Sequence, residues 1–384
     1  MRLHCFQKGL SFSAVYYIVI DRLGVSPMNK IIQALAVVIF VSFSVTPFLV
    51  PHINATEDSW RTMARMPTAR SGRGVAVVEG KIYAIGGSNP GYLGTNEMYD
   101  PETDTWTTKA SMPNPRCRFA IAVVENKIYV IGGANPNGVS SVNQVYDPAT
   151  DMWETLASMS RSRAELCANV VDGKIYVIGG SFLLYWPAPT NLTEVYDPET
   201  DTWTTKASMP TTVYSCTSAV IDNKIYVVPT NDIAGWSGLL QIYDSETDTW
   251  SYGKDVPTIT NLPVAAATTG VYAPKRIYVM GGYAVPITGP NQVYDPETDT
   301  WSLGTQMPTP RYNMGVAVVN DTLYAIGGYA DGSATPRKEN ERYTPAGYIP
   351  EFPSWAPILL VLGIVAVAVV IYKRKLCKNQ GRQK

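Results

Sequence analysis

Short apolar runs with alternating polar positions recur along the chain at nearly even intervals. The clearest is KIYAIGG at 81–87, an alternating segment that stops at a glycine pair. It returns as KIYVIGG at 127–133 and 174–180, KIYVVPT at 224–230, RIYVMGG at 276–282 and TLYAIGG at 322–328. The tryptophans have the same period, at Trp60, Trp106, Trp153, Trp203, Trp250 and Trp301. A period of about 50 residues built of short strands predicts the blades of a propeller rather than a helical solenoid.

Each repeat predicts four antiparallel strands, which we label a to d. Strand a is a small apolar run such as 74–78, strand b is the KIYAIGG segment, strand c ends at the Tyr-Asp of YDPETDTW, and strand d carries the tryptophan. Pairs such as Glu79-Gly80 suit a tight a–b hairpin, and Asp-Pro-Glu-Thr-Asp suits a c–d turn. The glycines after strand b leave room for a neighbouring chain. They are Gly86, Gly87, Gly132, Gly133, Gly179, Gly180, Gly281, Gly282, Gly327 and Gly328.

The two ends of the repeat region predict how the ring closes. The region opens with a lone strand d around Trp60, and it finishes with strands a, b and c near Tyr343 without a following tryptophan. We therefore expect the first strand to complete the last blade, which removes the exposed edges of an open ring. The prediction is an all-β propeller of six four-stranded blades over residues 56–346.

These residues resemble the kelch repeat, in which a double glycine after an apolar strand is followed by a tyrosine and then a tryptophan. The resemblance covers about residues 56–345, with six partial matches. The fourth copy departs from the pattern at the exit of its strand b, where Val228-Pro229 replaces the glycine pair. The resemblance implies a fold whose members include galactose oxidase-like copper enzymes and sialic-acid mutarotases.

Residues 1–55 predict an N-terminal extension followed by a secretory signal. Residues 31–50 form an uncharged apolar run that follows Lys30 and precedes small polar residues. This is the layout of a signal peptide, which we expect to be cleaved near Ala55. Met28 is the expected true start, because the sequence from there has the proportions of a signal. An uncleaved signal anchor of about 20 residues is the alternative.

The C-terminal end predicts a membrane anchor. Residues 347–355 form a linker with a Pro-Glu-Phe-Pro motif, and residues 356–372 form an apolar run that would rise roughly 25 Å as a helix. The basic tail at 373–384 is expected in the cytoplasm, with the propeller on the extracellular side of the cell membrane. This end also resembles the PEF-type sorting signal of archaeal surface proteins, and the resemblance implies cleavage by a membrane transpeptidase.

The charge balance differs between the repeats and the ends of the chain. The whole chain has 31 basic and 32 acidic residues. The tail at 373–384 holds six basic residues, and residues 1–55 hold four basic residues and one acidic residue, which leaves 21 basic against 31 acidic residues at 56–372. A body with a net charge of −10 is a poor partner for nucleic acid. The two histidines, His4 and His52, precede the repeats, which excludes a copper site with histidine ligands.

Arginines recur just before strand a in four of the six copies. They are Arg70, Arg116, Arg163 and Arg311, while Val213 and Thr260 interrupt the series. Because they share one register, we expect them near the mouth of the central channel. Two interpretations stay open. A ring of guanidinium groups would bind carboxylate, sulfate or phosphate, or the arginines belong to the repeat and pair with acidic turns and backbone carbonyls.

The d–a and b–c connections share one face of the predicted disc, and the short a–b and c–d turns share the other. The b–c loops, at 88–97, 134–143, 181–194, 230–240 and 329–341, all differ in sequence, and function on a repeated scaffold usually lies in such loops. The loops of this face carry aromatic residues as candidate ligand contacts: Tyr92, Phe182, Tyr185, Trp186, Trp236, Tyr283 and Tyr329. The alternative is that these side chains pack against their own loops.

A sugar-processing enzyme of the mutarotase or epimerase type, working at the channel mouth, is the alternative function. Glu165 is its candidate acid–base residue, because it is close to Arg163 in sequence. The Asp-Pro-Glu-Thr-Asp turns offer too few oxygens for Ca²⁺, so we interpret them as turn and solubility elements. No cofactor and no metal is expected.

Cysteines and glycosylation sequons complete the set of candidate residues. Cys167 and Cys216 are expected on neighbouring a strands, one residue out of step, and Cys117 makes the number in the repeats odd. We expect buried free thiols, with a disulfide as the alternative. Asn54, Asn191 and Asn320 begin sequons compatible with an exported protein.

The sequence as a whole predicts a surface-exposed, membrane-anchored propeller that acts as a binding module. The d–a and b–c loops would hold a protein or glycan partner, without catalytic activity.

Overall fold

The structure is a computed structural model that describes residues 56–349 except 73, 185–187, 214, 229–237, 285–287 and 331–334. Residues 55–349 form one compact unit. The signal at 31–50, the linker from residue 350 onward and the apolar run at 356–372 lie outside the described residues. Among the residues that are described, no helix has the length and apolar character to span a membrane.

The strands form six four-stranded antiparallel sheets, one for each blade. The first three blades contain β2 (Gly74–Val78), β3 (Lys81–Ile85), β6 (Asn96–Asp100) and β7 (Thr105–Lys109); β8 (Ala120–Val124), β9 (Lys127–Ile131), β12 (Asn143–Asp147) and β13 (Met152–Leu156); and β14 (Cys167–Val171), β15 (Lys174–Ile178), β16 (Thr193–Asp197) and β17 (Thr202–Thr205). Within each blade the four strands follow one another in chain order, as the repeat predicted.

The fourth and fifth blades repeat this order, and the sixth blade is completed by the N-terminal strand. They contain β18 (Thr217–Ile221), β19 (Lys224–Val228), β20 (Gln241–Asp244) and β21 (Thr249–Tyr252); β22 (Val264–Ala267), β23 (Ile277–Met280), β24 (Asn291–Asp295) and β25 (Thr300–Leu303); and β26 (Gly315–Val319), β27 (Thr322–Ile326), β28 (Asn340–Thr344) and β1 (Ser59–Thr62). Two short hairpins lie in b–c loops: β4 (Ser88–Asn89) with β5 (Gly91–Tyr92), and β10 (Ala134–Asn135) with β11 (Gly138–Val139).

The predicted closure is confirmed. Strand β1 pairs antiparallel with β28, and Trp60 lies opposite Tyr343. The sheet order β1-β28-β27-β26 places the N-terminal strand on the outer edge of the sixth blade. The last blade therefore has the same four-stranded structure as the other five, and the number of blades is six.

The core lies between the blades. Six hydrophobic clusters each combine residues of two neighbouring blades, so that every one of the six interfaces has its own apolar contact. Strand b is the most buried element, because both of its faces meet another blade; in β9, for example, Ile128, Val130 and Ile131 are completely buried. In the fourth copy Val228 still ends β19 as a buried residue, so the departure from the glycine pair leaves that strand intact.

The glycine pairs occur where one blade touches the next. Gly86 has a φ of +60°, and a Cβ there would lie 2.7 Å from the carbonyl oxygen of Arg116 in the second blade. The N–H of Gly87 donates to that same oxygen at 2.9 Å. The pair therefore needs both a left-handed backbone and the absence of a side chain.

The two faces of the disc differ as predicted. We call the face of the d–a segments (such as 63–72) and the b–c segments (such as 86–95) the loop face. The opposite face, with a–b turns such as 79–80 and c–d turns such as 101–104, is the turn face. Glu79 and Gly80 have positive φ angles of 49° and 72°, as a tight hairpin requires. The chain leaves the described propeller at Ile349 on the turn face, where the Ile349 N–H donates to the Tyr272 carbonyl at 2.6 Å.

Candidate functional site

The four arginines that precede strand a are completely buried. Arg70 donates to the Thr95 carbonyl at 2.8 Å and pairs with Glu97 at 2.5 Å. Arg311 pairs with Glu341 at 2.7 Å. The guanidinium groups of Arg70 and Arg311 therefore join their own d–a segments to strand c and to the end of strand b in the same blade. This geometry favours the interpretation of these arginines as part of the repeat, and a ligand contact by them stays a prediction.

Arg163 follows the same rule and pairs with Glu194. The three acidic partners occupy one position, the second residue of strand c. Glu97, Glu194 and Glu341 align with one another in the repeats, so the sequence contains a signal for this pairing that the motif search missed. In the fourth and fifth blades Val213 and Thr260 replace the arginine, and the strand c position holds Gln241 and Gln292. These two blades therefore lack both the arginine before strand a and the glutamate in strand c.

Arg116 is the exception to this pairing. Its strand c position holds the neutral Gln144, and its Nη2 donates to the Val130 carbonyl at 3.1 Å. The Nε and Nη1 groups of Arg116 and the Oε1 of Gln144 have no hydrogen-bond partner among the residues that the structure describes. Burial lowers the pKa of Arg116 to about 10. The second blade therefore buries a cation without the carboxylate that the equivalent arginines have.

The mouth of the central channel is formed by the residues two positions after these arginines. One residue from each blade adopts a left-handed conformation there: Gly72, Arg118, Glu165, Ser215, Leu262 and Asn313. Backbone hydrogen bonds of 2.8–3.1 Å link them around the channel, from Gly72 to Asn313, Arg118 to Gly72, Glu165 to Arg118, Ser215 to Glu165 and Asn313 to Leu262. Sequence reasoning missed this ring, because its members share a backbone angle and not a residue type.

A network of three side chains lies on this ring. The Nη1 of Arg118 is 2.5 Å from Oε1 of Glu165, and the Ser215 hydroxyl donates to the other carboxylate oxygen at 2.6 Å. Glu165 was expected to act with Arg163, but the Arg163 guanidinium is buried against Glu194. The arginine that faces the channel is Arg118, with 43% of its side chain exposed.

Two adjacent cavities open around Arg118. The axial cavity, of about 150 Å³, lies at the channel mouth and is lined by the ring residues. The loop-face cavity, of about 400 Å³, lies above it. Its lining includes Ser71, Ser88, Tyr92, Cys117, Leu184 and Tyr329. The two cavities share Gly72, Arg118 and Asn313, so Arg118 lies at the boundary between them.

The aromatic candidates among the described residues fall into three groups. Tyr92 and Tyr329 line the loop-face cavity. Tyr283 packs edge-on against Tyr312 at 5.3 Å between ring centroids, and Tyr312 packs against Tyr329 at 5.4 Å, so that Tyr283 supports the cavity wall indirectly. Phe182 lies under the guanidinium of Arg161, at 3.8 Å from the ring centroid. Tyr185, Trp186 and Trp236 lie outside the described residues.

The Asp-Pro-Glu-Thr-Asp turns have a role beyond the one we predicted. The Tyr99 hydroxyl donates to Asp104 at 2.6 Å, and the same carboxylate accepts the Ala64 N–H at 2.7 Å. The indole N–H of Trp106 donates to the Ala64 carbonyl at 2.8 Å. Because Ala64 follows the outer strand of the neighbouring blade, the Tyr, Asp and Trp of each motif form a joint between blades. These residues therefore have a structural role in the contact between blades.

The expectation of free thiols is correct for one cysteine and wrong for two. Cys167 and Cys216 form a disulfide between β14 and the residue before β18, with their Cα atoms 6.0 Å apart. The one-residue offset does not prevent the bond, because Cys216 lies just ahead of its strand. Cys117 is a buried free thiol in the wall of the loop-face cavity. Burial raises its pKa to about 11.

The two sequons within the described residues differ in accessibility. Asn320 is exposed in the a–b turn of the sixth blade. Asn191 is half-buried, and its side-chain amide donates to the Met209 carbonyl at 3.1 Å. A glycan at Asn191 would have to fit around a half-buried amide that is held by this bond, whereas the exposed Asn320 has no such constraint. Asn54 lies outside the described residues.

Groups that could supply metal or acid–base chemistry are sparse in the described part of the chain. No cluster of three or more His, Cys, Asp or Glu side chains there is arranged to hold a metal ion. Among the described residues that line the two cavities, Glu165 is the one carboxylate. Its two oxygens already accept hydrogen bonds from Arg118 and Ser215.

The architecture is that of a six-bladed β-propeller, and comparison with known proteins defines its repeats. A family model described as the FKB95 Kelch-repeats domain matches residues 107–231, and the Kelch motif matches residues 69–113, 267–308 and 310–346. The chain therefore contains kelch repeats. Kelch-like protein 1 of the mouse (Mus musculus) is 50% identical over 36 residues, which are 9% of this chain and 5% of the mouse protein.

A solved structure supports the fold independently. The structure of YjhT superposes with a TM-score of 0.62, covering 72% of this chain and 95% of YjhT, at 16% sequence identity. At that identity the similarity shows the fold alone. The matched segment of the mouse protein is a small fraction of its length, so neither relative assigns a ligand to this chain.

Proposed function

We propose that this propeller is a binding module that holds a protein or glycan partner at the loop-face cavity and has no catalytic activity. The observation that carries the proposal is the cavity itself, a recess of about 400 Å³ on the face with the variable loops. Its walls combine tyrosine rings with one half-exposed guanidinium, that of Arg118. Ligand sites are commonly recesses of this size with apolar walls and few, well-placed polar groups.

The alternative is a carbohydrate-processing enzyme of the mutarotase or epimerase type at the channel mouth. The contact that favours it is the pair of Arg118 and Glu165 in the axial cavity. Against it, general acid–base catalysis usually needs two proton-transfer groups near the reacting atoms. The described lining of both cavities offers Glu165 alone, and its oxygens are occupied by Arg118 and Ser215. We therefore favour binding over catalysis.

The proposed location is the cell surface, with a single transmembrane helix at 356–372 and a cytoplasmic tail at 373–384. Two features of the propeller support export. The Cys167–Cys216 disulfide is typical of an oxidising compartment, and Asn320 presents an exposed sequon. Both ends of the described propeller lie on the turn face, where the Gly347 N–H donates to Glu57 at 2.9 Å. An attachment beyond either end therefore need not pass through the cavity.

The test is capture of surface proteins and glycans by the full chain in detergent. Arg118→Ala should reduce capture at least tenfold, because it removes the charged group at the cavity floor. Arg276→Ala is the matched control, since Arg276 forms a similar pair with Asp295, at 2.9 Å, on the turn face. Equal capture by the two variants would refute the site. Turnover of a sugar substrate that depends on Glu165 would favour the enzyme instead.

A further inference from the structure

We propose that the loop-face cavity holds one neutral sugar ring, presented by a glycan, with Arg118 as its central hydrogen-bond donor. This inference rests on the proposed binding function and names its ligand class. A globular protein partner covers a broad surface, commonly about 800 Å² on each side. The feature seen here is a recess of about 400 Å³ whose lower boundary is the hydrogen-bonded ring at the channel mouth.

The chemistry of the walls matches a pyranose. A sugar ring has hydroxyl groups around its edge, each both a donor and an acceptor, and C–H groups on its two faces. The described lining supplies hydroxyls from Ser71 and Ser88, phenol groups from Tyr92 and Tyr329, and the amide of Asn313. These groups can exchange donor and acceptor roles with sugar hydroxyls. The tyrosine rings add broad apolar surfaces for the C–H faces.

The charge of the site points to a neutral ligand. Arg118 is the one charged side chain among the described residues of the loop-face cavity. Its positive charge is compensated from below by Glu165 at 2.5 Å, and Ser215 holds the far oxygen of that carboxylate at 2.6 Å. A guanidinium that is already paired still has several N–H donors in a fixed plane. It can bind sugar oxygens without requiring an anion.

Gly72 is the ring position without a side chain, which leaves space between the ring and the loop-face cavity. The other five ring positions carry side chains, and a Cβ on Gly72 would lie 3.5 Å from the Asn313 amide and 3.6 Å from the Arg118 side chain. An asparagine tolerates the left-handed backbone at this position. Gly72→Asn should therefore fill the floor of the cavity between Arg118 and Asn313 without removing either residue.

The experiment uses the full chain in a detergent without a sugar head group. Glucose, galactose, mannose, N-acetylglucosamine, N-acetylgalactosamine and glucuronate are tested by saturation-transfer NMR and titration calorimetry. At least one neutral sugar should bind with a dissociation constant of about 1 mM or tighter. Arg118→Ala, Tyr329→Ala and Gly72→Asn should each weaken it at least tenfold, and Arg276→Ala should not. Thermal unfolding of each variant shows whether it is folded.

Glu165→Gln separates a neutral site from an anionic one. This change keeps an acceptor for Arg118 but removes the compensating charge, so it should shift preference from the neutral sugar toward glucuronate at least threefold. Wild-type preference for glucuronate would overturn the inference. If no sugar binds while capture of a protein still depends on Arg118, the inference fails and the proposed binding function stands. If capture is also insensitive to Arg118, both fail.

Discussion

The hydroxyl of Tyr343 donates a hydrogen bond of 2.6 Å to the carboxylate of Asp58, which lies 285 residues earlier in the chain. The same carboxylate accepts the Thr305 N–H at 2.7 Å, and the indole N–H of Trp60 donates to the Thr305 carbonyl at 2.8 Å. Tyr99, Asp104 and Trp106 make the same hydrogen bonds, but these three residues are close together in the sequence. The contact that closes the ring therefore has the same hydrogen bonds as the contacts between the other blades. Its tyrosine comes from the C-terminal end of the propeller, and its aspartate and tryptophan come from the N-terminal end.

Asp58→Ala should destabilise the propeller because it leaves both donors, the Tyr343 hydroxyl and the Thr305 N–H, without their acceptor. Hydrogen bonds to charged groups are worth about 1.5–3 kcal/mol each; because both bonds here are partly exposed to solvent, we expect a total loss at the lower end, about 2–4 kcal/mol, in the free energy of unfolding. Chemical denaturation measures it, with Glu246→Ala on an exposed turn as the control. A loss no larger than that of the control would show that the joint does not close the ring.

The propeller could be predicted from the sequence, because each contact between blades leaves a residue signature that recurs in most of the copies. The glycine pair marks contact with the next blade, as at Gly86 and Arg116, and the Trp marks the outer strand. The missing tryptophan after Tyr343 was enough to predict pairing with the first strand. Such signals can be recognised because the repeat occurs six times, and a chance match would not return at the same position of several copies.

The site could be predicted only in outline. The sequence indicated the face on which the loop-face cavity lies, with Tyr92 and Tyr329 in its wall. It placed the channel arginine two residues too early, because Arg163 and its equivalents share a residue type whereas Arg118 and Glu165 share only a left-handed backbone. A ligand site on a repeated scaffold is built from the differences between copies, and one sequence does not show which differences matter.

Acid should weaken the joints between blades. The Tyr146 hydroxyl and the Ala110 N–H lower the pKa of Asp151, and the Lys254 N–H and the Tyr294 hydroxyl lower that of Asp299. A carboxyl whose pKa is depressed in the folded state stabilises it above its unfolded value, near 3.9, and that contribution is lost as the pH falls through the folded value.

The melting temperature should therefore fall as the pH is lowered from about 5 to below the unfolded Asp pKa. Asp299→Asn should have a lower melting temperature at neutral pH and a shallower decline on acidification, because one titrating carboxyl is gone. Calorimetry across this range measures both quantities. A decline in Asp299→Asn as steep as in the wild type would show that this carboxyl does not contribute to the pH dependence.

The disulfide should stabilise the propeller against unfolding. It joins the third and fourth blades across 49 residues, and a cross-link over a loop of this length is worth about 2–4 kcal/mol. Reduction, or the double change Cys167→Ala with Cys216→Ala, should lower the free energy of unfolding by that amount. Cys117→Ser is the control, and its unfolding should respond to reductant like that of the wild type. An unchanged denaturation midpoint after reduction would contradict the prediction.

The second blade offers the sharpest test of the buried ion pairs. Gln144→Glu would place a carboxylate beside Nη2 of Arg116, as Glu97 lies beside Nη2 of Arg70. We expect a gain of about 1–3 kcal/mol in the free energy of unfolding, because the buried cation acquires a charged hydrogen-bond partner.

Gln241→Glu is the matched control, since it introduces the same carboxylate at the same strand position in a blade where Val213 replaces the arginine. A buried carboxylate without a cation is unfavourable, so this variant should be destabilised. Denaturant titrations of the two variants and the wild type compare them directly. If both substitutions change stability in the same direction, the pairing of Arg and Glu at this position does not determine the stability of the blade.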